Sequence, residues 1–155
     1  MIRSGTGKIR PMPLPEKGRP IVFYDGVCGL CNRLNQFVLR RDRSGRFQFA
    51  ALQSAFARET LSRYGRDPED LDTLYLITDY GTPSERLLWK SRAAMRVLRE
   101  IGGVWSATQI LSLLPTAILD AGYDIIARLR YRVFGKSESC VIPRPEQRDR
   151  FIEFE

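Results

Sequence analysis

The sequence contains no histidine. That absence removes Ser–His and Cys–His nucleophile pairs and any histidine-ligated zinc or haem. Cysteine is nearly as scarce, three in 155 residues, too few for the disulfide framework of a secreted scaffold. The thiols of such a chain are expected to be kept reduced, which points to the cytoplasm. There is no uninterrupted run of the roughly 20 apolar residues needed to cross a membrane. The stretch 104–119 is apolar but broken by Gln109 and Pro115. It reads as core, with docking on a membrane surface as the alternative. Residues 1–20 are polar and lack the apolar segment of a signal peptide. No Gly-rich nucleotide fingerprint is present, so no bound cofactor is expected. Acidic residues are the minority, 18 against 25 basic, for a net charge of +7. The arginines are dispersed at helical spacings and read as solvated faces rather than as a nucleic-acid surface.

What the sequence does contain is a pair of cysteines two residues apart, in Tyr24-Asp25-Gly26-Val27-Cys28-Gly29-Leu30-Cys31. This stretch joins the β-prone run Ile21-Val22-Phe23-Tyr24 to a segment whose apolar positions Leu30, Leu34, Phe37 and Val38 share one helical face. The dithiol therefore falls where a strand ends and a helix begins. The first amides of a helix have no intrahelical partner and carry the positive end of its dipole. A thiolate placed there is stabilised, and a Cys-x-x-Cys in this position is expected to do redox chemistry.

Downstream, alternation and turn residues predict a strand over 46–50 and a helix over 53–64 closed by Gly65. Strands over 73–78 and 86–90 form a predicted hairpin. Ser91 is the expected N-cap of a helix over 92–101 that Gly102-Gly103 ends. A further helix over 106–114 stops at Pro115, and a last one, capped by Thr116, runs to Phe134. The order β-α-β-α-β-β-α with added C-terminal helices is α/β. With the dithiol at the first strand–helix junction, it is the order of a thioredoxin-like core. The expected boundaries are a flexible leader at 1–19, the domain at 20–143 and a tail at 144–155.

The segment Asp25-Gly26-Val27-Cys28-Gly29-Leu30-Cys31 fits the pattern D-x-x-C-x-x-C, and the chain resembles the DCC family of thiol-disulfide oxidoreductases. Lys90-Ser91-Arg92-Ala93-Ala94 and Gly102-Gly103-Val104-Trp105 are similar to the middle section of that family. Ala127-Arg128-Leu129-Arg130-Tyr131-Arg132-Val133-Phe134-Gly135, with Cys140 and Pro143, is similar to its C-terminal section. The likeness extends over residues 20–143. It implies a thioredoxin-like fold and dithiol redox activity, and it names no substrate. One departure concerns the cis-proline that thioredoxin-like enzymes place before the third core strand: here Asp70, Leu71 and Asp72 precede Thr73.

By position, Cys28 is the expected nucleophile and the more exposed thiol, at the helix mouth. Cys31, one turn inward, would resolve the mixed disulfide. Asp25 carries three open readings: a carboxylate that raises the Cys28 pKa, an acceptor for the Cys31 proton, or an Asx-turn with Gly26. Cys140 reads as a packing residue or as a third thiol, brought back toward the dithiol with the segment 128–143. Arg128, Arg130 and Arg132 could form an anion-binding patch, but on one helix they cannot all share a face and read as a solvated set; Trp89 and Trp105 read as core. The leading function is dithiol–disulfide exchange with a protein or low-molecular-weight thiol partner, re-reduced by a separate reductase. One alternative is a metal-binding module in which Cys28 and Cys31, with Cys140 and Asp25, hold zinc or an iron–sulfur cluster. The other is a redox-inert adaptor on the same fold, binding nucleic acid or another partner.

Overall fold

The strand that leads into the dithiol is the central strand of a five-stranded sheet of order β4-β3-β1-β2-β5 in the computed structural model. The structure describes residues 13–136 and 144–152. In chain order the elements are β1 (Ile21–Tyr24), α1 (Gly29–Arg41), β2 (Gln48–Ala51), α2 (Ala55–Arg63), β3 (Tyr75–Thr78), β4 (Arg86–Trp89) and α3 (Lys90–Ile101). A 3-10 segment (Gly103–Leu113), α4 (Thr116–Phe134), a short 3-10 turn (Pro145–Arg150) and β5 (Phe151–Ile152) follow. β1 runs parallel to β2 and antiparallel to β3, which pairs antiparallel with β4.

All four residues of β1 are buried, because helices cover both faces of the sheet. That burial is why the sequence there is a continuous apolar run rather than an alternating one. On one face Val22, Tyr24 and Phe49 pack with Val38 and Leu39 of α1 and with Ala93 and Val97 of α3. On the other, Ile21, Phe23 and Ala50 pack with Ala57 and Leu61 of α2. The result is a mixed α/β fold compatible with a thioredoxin-like core.

Several local expectations are corrected. The tail supplies a strand: Phe151 pairs with Phe49 and Ile152 with Ala50, in parallel. Arg150 anchors it by pairing with Asp42 and by donating to the Phe47 carbonyl at 2.9 Å. Two residues are too few to show periodicity, so this strand exists by virtue of its partners. At the other end the chain is tied down before Arg19. Gln48 donates to the Leu14 carbonyl at 3.2 Å and accepts from the Glu16 N–H at 2.8 Å.

The buried face of α1 is Asn35, Val38 and Leu39, whereas Leu34 is exposed. Phe37 turns instead toward Trp105, whose ring it meets edge-on at 4.9 Å. Ser91 does not cap α3. Lys90, at φ 52°, turns the chain from β4 into the helix, and Ser91 donates to Asp120 of α4. The helix expected over 106–114 is a 3-10 segment starting at Gly103, held by Trp105 and by Gln109 donating to the Met95 carbonyl at 3.0 Å. Thr116 is the first residue of α4 rather than its cap, a place taken by Pro115.

Candidate active site

β1 ends at Tyr24, and the loop that follows is fixed by its own polar groups. The Cys28 N–H donates to the Asp25 carbonyl at 3.2 Å. Asp25 Oδ1 accepts from the Val27 N–H at 3.1 Å, an Asx-turn, and from Gln53 Nε2 at 2.8 Å. Gln53 also accepts the Gly26 N–H at 3.2 Å. Because β2 lies beside β1 in parallel, its C-terminal end delivers Gln53 next to this loop.

Cys28 is the N-cap of α1. Its sulfur accepts the Cys31 N–H at 3.5 Å, and its carbonyl accepts the Asn32 N–H at 3.1 Å. Both cysteines are free thiols. The hydrogen bond from the Cys31 thiol is the strongest influence on Cys28. Burial opposes it, but the Cys31 N–H, the charge of Arg130 and the Leu30 N–H add to it, and the Cys28 pKa falls to about 6. The same hydrogen bond, then burial, then the Cys28 charge push Cys31 far above the ordinary thiol range. The pair thus divides into a thiolate and a thiol that holds its proton.

The exposure order is the reverse of expectation. Cys28 is 0% exposed, and Cys31 is partly exposed. The C-terminal end of α4 accounts for this. Cys28 forms an isolated antiparallel bridge with Lys136, and the Gly29 N–H donates to the Gly135 carbonyl at 3.3 Å. A Cβ on Gly29 would run into the Phe134 carbonyl oxygen, so a glycine is needed for this close approach. Cys31 forms part of the wall of an apolar cavity of about 130 Å3, with Leu34, Asn35, Val38, Leu74 and Val97. The Asn35 amide nitrogen is buried there without a hydrogen-bond partner among the described residues.

α4 also brings Arg130 and Tyr131 to the loop. Arg130 is 3% exposed, which corrects its reading as a solvated residue; Arg128 and Arg132 are exposed. Its Nη2 lies 3.3 Å from Asp25 Oδ2, 3.1 Å from Asp72 Oδ1 and 2.7 Å from the Leu71 carbonyl. Tyr131 donates its hydroxyl hydrogen to Asp25 Oδ2. Burial, then the hydrogen bond and charge of Asp25, push the Tyr131 pKa up to about 12, so the phenol keeps its proton. Both oxygens of Asp25 are engaged, and a guanidinium sits beside it. It is therefore an occupied acceptor rather than an open metal ligand. Among the described residues no group of three or more metal-ligating side chains gathers. Cys140 lies outside the described residues. Where a cis-proline would precede the third core strand, no described peptide bond is cis. Arg130 holds that segment instead, and Tyr123 of α4 accepts the Leu74 N–H at 2.7 Å.

Gln53 and Tyr131 are not among the site residues expected from the sequence, and Arg130 is expected there only as one of a solvated set. The signal for the latter two lay in the block 127–135, whose likeness to a family section made no statement about which side chains turn inward.

Comparison with known proteins gives the family. A family model described as DCC1-like thiol-disulfide oxidoreductase matches residues 22–136. The uncharacterized protein YuxK of Bacillus subtilis (strain 168) is 33% identical over 132 residues, covering 85% of this chain and 93% of YuxK. The DCC family protein At1g52590, chloroplastic, of Arabidopsis thaliana is 35% identical over 126 residues, 81% of this chain and 70% of that protein. No solved structure matches. With the Asp25–Cys28–Cys31 loop inside the matched region, the chain belongs to the DCC1-like thiol-disulfide oxidoreductase family.

Proposed function

We propose that the protein carries out dithiol–disulfide exchange on a thioredoxin-like fold, with Cys28 as nucleophile and Cys31 as resolving thiol. The observation that carries this reading is the Cys28 sulfur at the N-cap of α1, accepting from the Cys31 N–H; with the Cys31 thiol also hydrogen-bonded to it, its pKa falls to about 6. At neutral pH that sulfur is a thiolate, the form that attacks disulfides. Attack on a partner disulfide forms a Cys28–partner bond and releases one partner thiolate. Cys31 then loses its proton, displaces the second thiolate and closes the Cys28–Cys31 disulfide. Two electrons have passed to the partner, and a separate reductase must return them. Asp25, held by Arg130, Tyr131, Gln53 and the Val27 N–H, shapes the loop around the two thiols, and in this reading it takes up the Cys31 proton only by giving up one of those donors. The partner is a protein or a low-molecular-weight disulfide, and the apolar cavity beside Cys31 suits an apolar group next to its sulfur. A thiol-reducing compartment such as the cytoplasm fits the reduced pair. Because Cys28 is covered by residues 134–136, a partner reaches it only when that backbone shifts.

Two single variants test the reading. Cys31→Ser should accumulate mixed disulfides through Cys28, isolable from cells under acid quench. Cys28→Ser should trap none and lose exchange. A Cys28→Ser protein that reduces a model disulfide at the wild-type rate would defeat the assignment.

A further inference from the structure

The apolar stretch 104–119, which the sequence offers as core, is largely exposed, with Val104, Ile110, Leu111, Leu113, Leu114 and Ile118 all open to solvent, and the exposure continues along α4. On α4 the residues Ile118, Ile125, Ile126, Leu129 and Val133 are 57%, 59%, 56%, 43% and 69% exposed. Their spacing places them within an arc of about 100° along about 22 Å of helix. The face opposite is the one that packs inward, through Ala127 and Arg130. This is the reverse of ordinary amphipathic burial: the helix has an inner face turned to the protein and a second apolar face turned to solvent. The preceding 3-10 segment also exposes Val104, Ile110 and Leu113. An exposed apolar helix face of this kind marks a contact with something other than water.

The charges around this face say what that contact is. Residues 102–119 carry no charged side chain. The two acids of α4 are directed at α3, Asp120 to Ser91 and Asp124 to Lys90 at 2.9 Å. The charged residues at the margin of the apolar arc are Arg128 and Arg132, both exposed. Apolar side chains flanked by arginines match the boundary between acyl chains and anionic headgroups, where long cationic side chains reach up to phosphate. A second copy of the chain fits less well, because twofold antiparallel pairing of α4 would set the arginine flank against itself. A span fits less well too. No single helix among the described residues is long and apolar enough to cross a membrane. The pair Gly103–Leu113 and Thr116–Phe134 passes such a test only jointly and is bent by 119°.

We infer that the exposed face formed by α4 and the 3-10 segment docks the protein peripherally on an anionic lipid surface, lying in the headgroup boundary without crossing it. The same helix ends in the residues that cover Cys28, so the docked face and the dithiol share one element. The inference stands on exposure and charge, independently of the exchange chemistry.

Co-sedimentation of the full-length reduced protein with phosphatidylcholine vesicles, with and without phosphatidylglycerol, tests it. The wild type should pellet with the anionic vesicles, less so as salt rises, and stay in solution with phosphatidylcholine alone. Two double variants, Ile125→Glu with Val133→Glu and Arg128→Glu with Arg132→Glu, change exposed positions only. Each should keep the wild-type circular dichroism spectrum and lower partitioning by about tenfold or more. The inference is overturned if the wild type does not pellet, or if the apolar double variant pellets as well as the wild type. It is equally overturned by a concentration-dependent dimer that Ile125→Glu with Val133→Glu dissolves while vesicles bind nothing. Resistance to alkaline carbonate extraction would show an embedded segment and would also overturn it.

Discussion

Arg130 Nη2 lies 3.3 Å from Asp25 Oδ2 across 105 residues of sequence, with the two side chains 4% and 0% exposed. This contact fastens α4 to the dithiol loop. It also sets a positive charge that adds to the lowering of the Cys28 pKa and partly opposes the stronger influences that raise that of Cys31. A buried ion pair adds little net stability over a well-packed apolar pair, but losing one partner leaves the other charge uncompensated.

Arg130→Met should therefore destabilise the reduced protein by about 3–5 kcal/mol in urea unfolding. It should also move the Cys28 midpoint upward, since a lowering influence is gone. The double variant Asp25→Asn with Arg130→Met removes both charges and should recover a large part of the loss. A single variant as stable as the wild type would show that Asp25 is not a buried charge dependent on Arg130.

The rate of Cys28 alkylation by iodoacetamide should rise through a midpoint near the about 6 assigned to that thiol, far below the ordinary 9.0. The folded pKa is depressed, so between these values the folded state binds fewer protons than the unfolded one. Stability contributed by Cys28 is then fully present above about 9, declines as pH falls, and is lost through about 6. The raised pKa of Cys31 acts only above the ordinary thiol value, outside this window. Since the Cys31 thiol is the largest lowering influence, Cys31→Ala should move the midpoint upward more than Cys31→Ser, which keeps a donor. A midpoint above 8 in the wild type would remove the thiolate from the mechanism.

The strand–dithiol–helix unit was legible because each part has a local signature: an apolar run, a turn, a spacing of three. The succession of the four longer strands along the chain followed from the same kind of local pattern. What stayed hidden depends on contacts distant in sequence. Arg130 looks like its neighbours Arg128 and Arg132 until the packing of α4 turns it inward. β5 has two residues and takes its conformation from β2. The burial of Cys28 follows from a backbone approach by Gly135 and Lys136, more than 100 residues away in sequence, and nothing at Cys28 itself announces it. The apolar stretch 104–119 reads as core because hydropathy does not say which apolar face finds a partner, and in the fold much of it is exposed.

Phe151→Ala should destabilise the protein by about 3–5 kcal/mol. Phe151 is buried, stacks on Phe49 at 5.1 Å and meets the edge of Tyr24 at 6.2 Å. Its removal should leave the Cys28 alkylation midpoint unchanged, because β5 lies at the sheet edge beyond β2 and contributes nothing to the thiolate. Urea unfolding and the pH profile on the same sample separate the two effects. A loss under 1 kcal/mol would mean that the C-terminal strand is not part of the folded sheet.

Gly29→Ala tests the cover over Cys28. In an exposed helix this exchange stabilises by about 0.5–1 kcal/mol, because alanine loses less conformational freedom than glycine on folding. Here the added methyl meets the Phe134 carbonyl, a backbone atom that cannot rotate away, with the Gly135 carbonyl also close. The 134–136 backbone must shift, and the hydrogen bond from the Gly29 N–H to the Gly135 carbonyl goes with it. Overpacking of this kind destabilises by about 1–3 kcal/mol, opposite in sign to the helix-propensity effect. The same shift uncovers the Cys28 sulfur, so alkylation at saturating pH should speed up while stability falls. A variant that gains stability and alkylates at the wild-type rate would show that residues 134–136 do not close over the nucleophile.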